Sequence, residues 1–73
     1  MTARGLTEVK VEDLKKALQM VHRGELAPPL VVKDLARVGL QHCAEPLLRE
    51  LRGLDVAGIR AVLVCVIAER AKE

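Results

Sequence analysis

His22, His42, Cys43 and Cys65 are the side chains of this sequence best suited to nucleophilic or metal chemistry. Serine is absent, which removes every serine-nucleophile mechanism. A cysteine nucleophile needs a base within hydrogen-bond reach and a third group that orients the base. His42 and Cys43 are neighbours in sequence, and on a helix neighbouring side chains point about 100° apart. This spacing predicts no working dyad. Structural zinc usually takes four ligands in paired spacings such as Cys-x-x-Cys or His-x-x-x-His, and the chain has neither. Its glycines stand singly, so no phosphate-cradling loop is present. The expectation is a non-enzymatic chain with no catalytic, metal-ligating or cofactor-binding residues and no cofactor.

Cations offer a second chemistry. Lys33 with Arg37, and Arg49 with Arg52, are the candidate nucleic-acid contacts, each pair on a short predicted helix. Base-reading helices usually carry several polar residues that reach base edges, yet asparagine is missing altogether. Glu45 and Glu50 lie beside Arg49 and Arg52, so pairing within the chain explains those arginines more simply. The formal charge is only +2, with acidic and basic residues interspersed, unlike the concentrated basic face of a nucleic-acid binder.

The elements that would position these groups are helical. The 73 residues make one domain, 51% hydrophobic and without Phe, Trp or Tyr, so its core must be aliphatic. Residues 1–8 read as a flexible leader and 9–73 as the bundle domain. The first helix is expected to begin near Val9 to Glu12, with Thr7 as the nearest cap. Leu14, Ala17, Leu18 and Val21 follow the spacing of one helical face, and Gly24 stops the helix. Pro28-Pro29 then opens a second helix with Val31, Leu35 and Val38 as its core stripe and Gly39 as its end. Pro46 would break a long third helix. A turn at Gln41 to Ala44 and a new helix from about Pro46 resolve this, with Leu47, Leu48 and Leu51 inward and Gly53 as terminator.

Asp55 caps the last and longest helix, roughly Val56 to Lys72. Ile59, Val62, Leu63, Val66 and Ile67 keep helical spacing, and Val64, Cys65 and Ala68 are apolar on other faces. A helix apolar nearly all round is normally a central one. The predicted fold is therefore all-α: a compact bundle of four or five short helices with Gly-terminated turns around a central apolar C-terminal helix. Both cysteines sit in apolar context and are expected to be reduced and buried.

Two resemblances accompany this reading. The segment Val9-Lys10-Val11-Glu12-Asp13-Leu14-Lys15-Lys16-Ala17-Leu18 resembles the first helix of SAP-type DNA-binding modules, although the double proline and the apolar last helix depart from that pattern. Arg37-Val38-Gly39-Leu40, then Leu47-Leu48-Arg49-Glu50-Leu51 and the C-terminal helix, is similar to the middle and end of the helical N-terminal bundle of transcription elongation factors. That resemblance implies recognition of short disordered peptides in inter-helix grooves, although the blocks are spaced further apart here and the last helix lacks that family's aromatic residue.

The leading expectation is a protein-interaction module that binds a partner helix, a peptide or a second copy of itself. Its expected surface is a second face of the last helix: Val56, Arg60, Val64, Cys65, Glu69 and Arg70. Small helical DNA binding is the alternative. Residues 1–10 lack the apolar core of a secretory signal, and the uncharged run Ala61 to Ala68 is too short to span a bilayer. An intracellular protein, nuclear or cytoplasmic and without a membrane partner, is the expected setting.

Overall fold

The computed structural model describes residues 4–71. Helix α1 runs Val11–His22, α2 Val32–Arg37, α3 Ala44–Leu51 and α4 Val56–Ala71. Two 3-10 segments accompany them, Arg4–Glu8 ahead of α1 and Gln41–Cys43 leading into α3. The described residues contain no strand, so the chain is an all-α bundle.

Local chemistry sets most of the boundaries. The backbone N–H of Gly58 donates to Asp55 Oδ1 at 2.8 Å, and that of Ile59 to the Asp55 carbonyl at 2.9 Å. Asp55 therefore caps α4, satisfying donors that have no partner within the helix. Pro46 falls in the first turn of α3, where its missing N–H breaks no helical bond. Gly24, Gly39 and Gly53 take φ of +78°, +81° and +79°, a region costly for a residue with a Cβ. After α1, the N–H groups of Glu25 and Leu26 donate to the Met20 carbonyl at 2.9 and 3.3 Å; after α2, Leu40 donates to Leu35 at 2.7 Å. These bonds turn the chain inward, so Leu26 and Leu40 enter the core at 2% and 0% exposure.

The structure corrects three readings of the sequence. The expected leader is folded from Arg4 to Glu8: Leu6 is wholly buried, and the segment packs against α3. Residues 1–3 of that leader lie outside the described residues. The double proline does not open α2, which starts at Val32. Val31 precedes it with extended backbone, φ −131° and ψ 157°, so helical phase does not apply there. Val31 is exposed although Leu35 is buried and Val38 half-buried.

The third correction concerns α4, which is not wrapped on all sides. Only Ile59, Leu63 and Val66 are buried, on the face that packs along α1. Ala57, Ala61, Val64, Cys65 and Ala68 are exposed. With α2 six residues long and α3 eight, no further element among the described residues lies over that outer face. Cys65 is accordingly exposed, and of the two thiols only Cys43 is buried.

This one-sidedness predicts unequal substitutions. Leu63→Ala should lower urea stability by about 2–5 kcal/mol through lost burial and a cavity. Val64→Ala should change it by no more than about 0.5 kcal/mol. Similar losses at both positions would mean that α4 is enclosed. Asp55→Ala should cost about 1 kcal/mol by removing the cap.

Candidate functional site

Two places gather chemistry, and neither is the outer face of α4 that the sequence puts first. The first is an open groove of about 770 Å³, within the roughly 300–1,000 Å³ range of ligand clefts. Pro28, Pro29 and Leu30 of the α1–α2 link form one side. Leu48, Leu51, Arg49 and Arg52 of α3 and its C-terminal cap form the other, with Gly53, Leu54 and Asp55 at the end. The groove is lined where the proline pair of the α1–α2 link meets the left-handed Gly53 after α3. Leu30, Leu48 and Leu54 stay half-buried against the core, so the floor is apolar.

The charge around this groove is unbalanced. Arg49 Nε lies 3.9 Å from Glu50 Oε2, at the edge of ion-pair range. Arg52 has no ion pair or hydrogen bond among the described residues. The Asp55 carboxylate at the end of the groove accepts from the Gly58 N–H but keeps its charge, so the two arginines exceed the acidic lining by one charge. Two guanidinium groups therefore border an apolar trough.

The second place is the junction of α1 with the second 3-10 segment. Asp13 sits in the first turn of α1, and His42 Nε2 lies 2.9 Å from its Oδ2. A carboxylate oxygen of Asp13, a ring nitrogen of His42 and the Cys43 sulfur all fall within 4.8 Å of one another. The Asp13 side chain is 19% exposed and that of His42 58%, so the cluster opens outward from a buried sulfur. Cys43 Sγ donates to the Leu40 carbonyl at 3.4 Å. Burial pushes the Cys43 thiol up from its ordinary value and the Asp13 charge adds to this, against a smaller lowering by a backbone hydrogen bond. A raised thiol pKa suppresses the thiolate, the reactive form at neutral pH.

Sequence reasoning missed this cluster because Asp13 lies 29 residues from His42 and no local spacing encodes their meeting. The divergence expected of adjacent helical side chains also fails here. Cys43 has φ −124° and ψ 19°, outside the α-helical region, so the 100° rule does not apply to the pair.

The expected partner-binding residues are divided. Arg60, Val64, Cys65 and Glu69 are exposed on α4. Val56 is 37% exposed but begins the helix, about 80° of rotation from Val64. Arg70 faces the other way: its Nη1 donates to the Val9 carbonyl, tying the end of α4 to the start of α1. The cationic candidates divide as well. Arg49 and Arg52 border the groove. Arg37 is held on α2 by the Glu25 carbonyl at 3.0 Å and Asp34 Oδ1 at 3.6 Å, and Lys33 is exposed there.

No helix among the described residues is long and apolar enough to cross a membrane. No known protein family, curated protein or solved structure matches the chain.

The two thiols should separate cleanly under alkylation. Iodoacetamide at neutral pH should modify Cys65 at least about tenfold faster than Cys43, because only Cys65 is exposed and Cys43 is held as the thiol. Peptide mass mapping of a time course checks this, and equal rates would contradict the burial of Cys43.

Proposed function

We propose that this chain is a non-enzymatic peptide-binding module. Its ligand is a short acidic segment with aliphatic anchors, held in the groove between the Pro28–Leu30 link and the end of α3. The observation that carries this reading is an apolar trough bordered by two arginines, Arg52 having no side-chain partner among the described residues. Leu30, Leu48 and Leu54 are half-buried there, so an aliphatic side chain laid on them removes apolar surface from water at about 25 cal/mol per Å². Arg49 and Arg52 supply attraction and register for carboxylates. Such a binder needs no water-excluding pocket and no activated nucleophile, which agrees with the raised pKa of Cys43.

A second reading is favoured by a different observation. The outer face of α4 carries Ala57, Ala61, Val64, Cys65 and Ala68 exposed together, and small side chains let two helices approach closely. Self-association through α4 follows from that face. DNA binding through Lys33, Arg37, Arg49 and Arg52 has less support, because Arg37 is engaged within the chain.

The test uses the labelled peptide Asp-Glu-Leu-Asp-Leu-Leu-Glu-Asp and a control with every acid replaced by lysine. NMR titration should shift the amides of Leu30, Leu48 and Leu54 with the acidic peptide only. Arg52→Glu should weaken binding about tenfold, equivalent to about 1.4 kcal/mol, and added salt should weaken it as well. Shifts confined to α4, with a dimer mass by light scattering lost in Val64→Asp, would replace the groove reading with self-association. Equal binding of both peptides would remove it.

A further inference from the structure

We propose that Asp13, His42 and Cys43 form a binding site for zinc or a similar borderline divalent transition metal ion, with water completing the coordination. The donor set selects the metal class. Imidazole nitrogen and thiolate sulfur suit zinc and its neighbours, whereas calcium and magnesium require oxygen ligands throughout. Three protein ligands with one position left to water is a recurrent zinc arrangement.

Geometry brings the donors close to the required spacing. With bonds of about 2.0–2.3 Å, tetrahedral ligand atoms lie about 3.3–3.8 Å apart. Here His42 Nε2 and Asp13 Oδ2 are 2.9 Å apart, and all three donors fall within 4.8 Å of one another. The imidazole and carboxylate must part slightly and the sulfur must close slightly. The exposed ring of His42 has room for that motion. The sulfur is anchored in the core, and the two outer ligands face solvent, which gives the ion its approach and the water its place.

Charge also balances. On binding, the Cys43 S–H bond breaks, its proton leaves to buffer, and a metal–sulfur bond forms. His42 Nε2, which donates to Asp13 Oδ2 in the free protein, gives up that hydrogen bond and its proton, the neutral ring carrying its hydrogen on Nδ1, and coordinates through the freed Nε2 lone pair. The thiolate, the Asp13 carboxylate and a divalent ion sum to zero, so the occupied site carries no net charge beside the core. The ion would fasten α1 to the segment that leads into α3, reinforcing the histidine–carboxylate contact between them.

The test uses the full chain under a non-thiol reductant, with cobalt(II) as the spectroscopic probe and zinc as competitor. Wild type should give a saturable 1:1 thiolate-to-cobalt charge-transfer band that zinc abolishes. Cys65→Ser should keep the band; His42→Ala and Asp13→Asn should each weaken affinity at least about tenfold, and Cys43→Ser should abolish it. Circular dichroism checks the fold of the buried Cys43 variant. Should it unfold, the His42 and Asp13 variants carry the test, since both positions lie nearer the surface. Zinc should also raise the melting temperature of wild type and not of His42→Ala. No band in wild type would overturn the proposal. So would a band lost in Cys65→Ser, or affinity unchanged in His42→Ala and Asp13→Asn.

Discussion

A core without a single aromatic ring governs how this chain is built. Each aliphatic side chain contributes about 1.5–3 kcal/mol when fully buried, so many must be buried and every element must supply them. Leu6, Leu14, Leu35, Leu40, Leu47, Ile59 and Leu63 are all at most 1% exposed. They come from the first 3-10 segment, from each of the four helices and from the turn after α2. A segment that looks like a loose leader is therefore drawn into the structure by Leu6. Even the turns serve the core, since the left-handed glycines at 24 and 39 are followed within two residues by a buried leucine.

The same constraint explains what stays open. Once the short α2 and α3 have given their leucines to the core, no element among the described residues is left to cover the outer side of α4 or the trough beside α3. The apolar surface of the chain is thus a consequence of its element lengths as well as its composition. The two candidate sites use this surplus differently: one is an open trough with a basic border, the other a polar cluster seated on a buried sulfur.

Features written in local chemistry were legible in the sequence. Asp55 as a cap, Pro46 as a first-turn proline and glycines 24, 39 and 53 as terminators depend on a few neighbouring residues and general backbone physics. Features that depend on partners were not. The apolar run of α4 resembles a central helix, but centrality depends on how many other elements can surround it. Val31 shares its spacing with Leu35 and Val38, yet the extended backbone before α2 takes it out of phase. The candidate sites divide in the same way. Arg49 and Arg52 could be singled out by type, but the trough they border arises only when the proline link meets the end of α3. Asp13 carried no signal at all, because its relation to His42 exists only once α1 and the second 3-10 segment are packed together.

The tie between Arg70 and the Val9 carbonyl bears on the order in which the protein can form. Helix α4 packs principally on α1, while α2, α3 and the two 3-10 segments pack chiefly on one another. The first helix thus waits for the last one. The apolar stripe of Leu14, Ala17 and Val21 on α1 is covered by a helix at the far end of the described residues. Closing that long loop is an entropic cost met before the contacts that reward it. The 3-10 segment ahead of α1 packs on α3, so the stretch before α1 and α1 itself belong to different halves of the bundle.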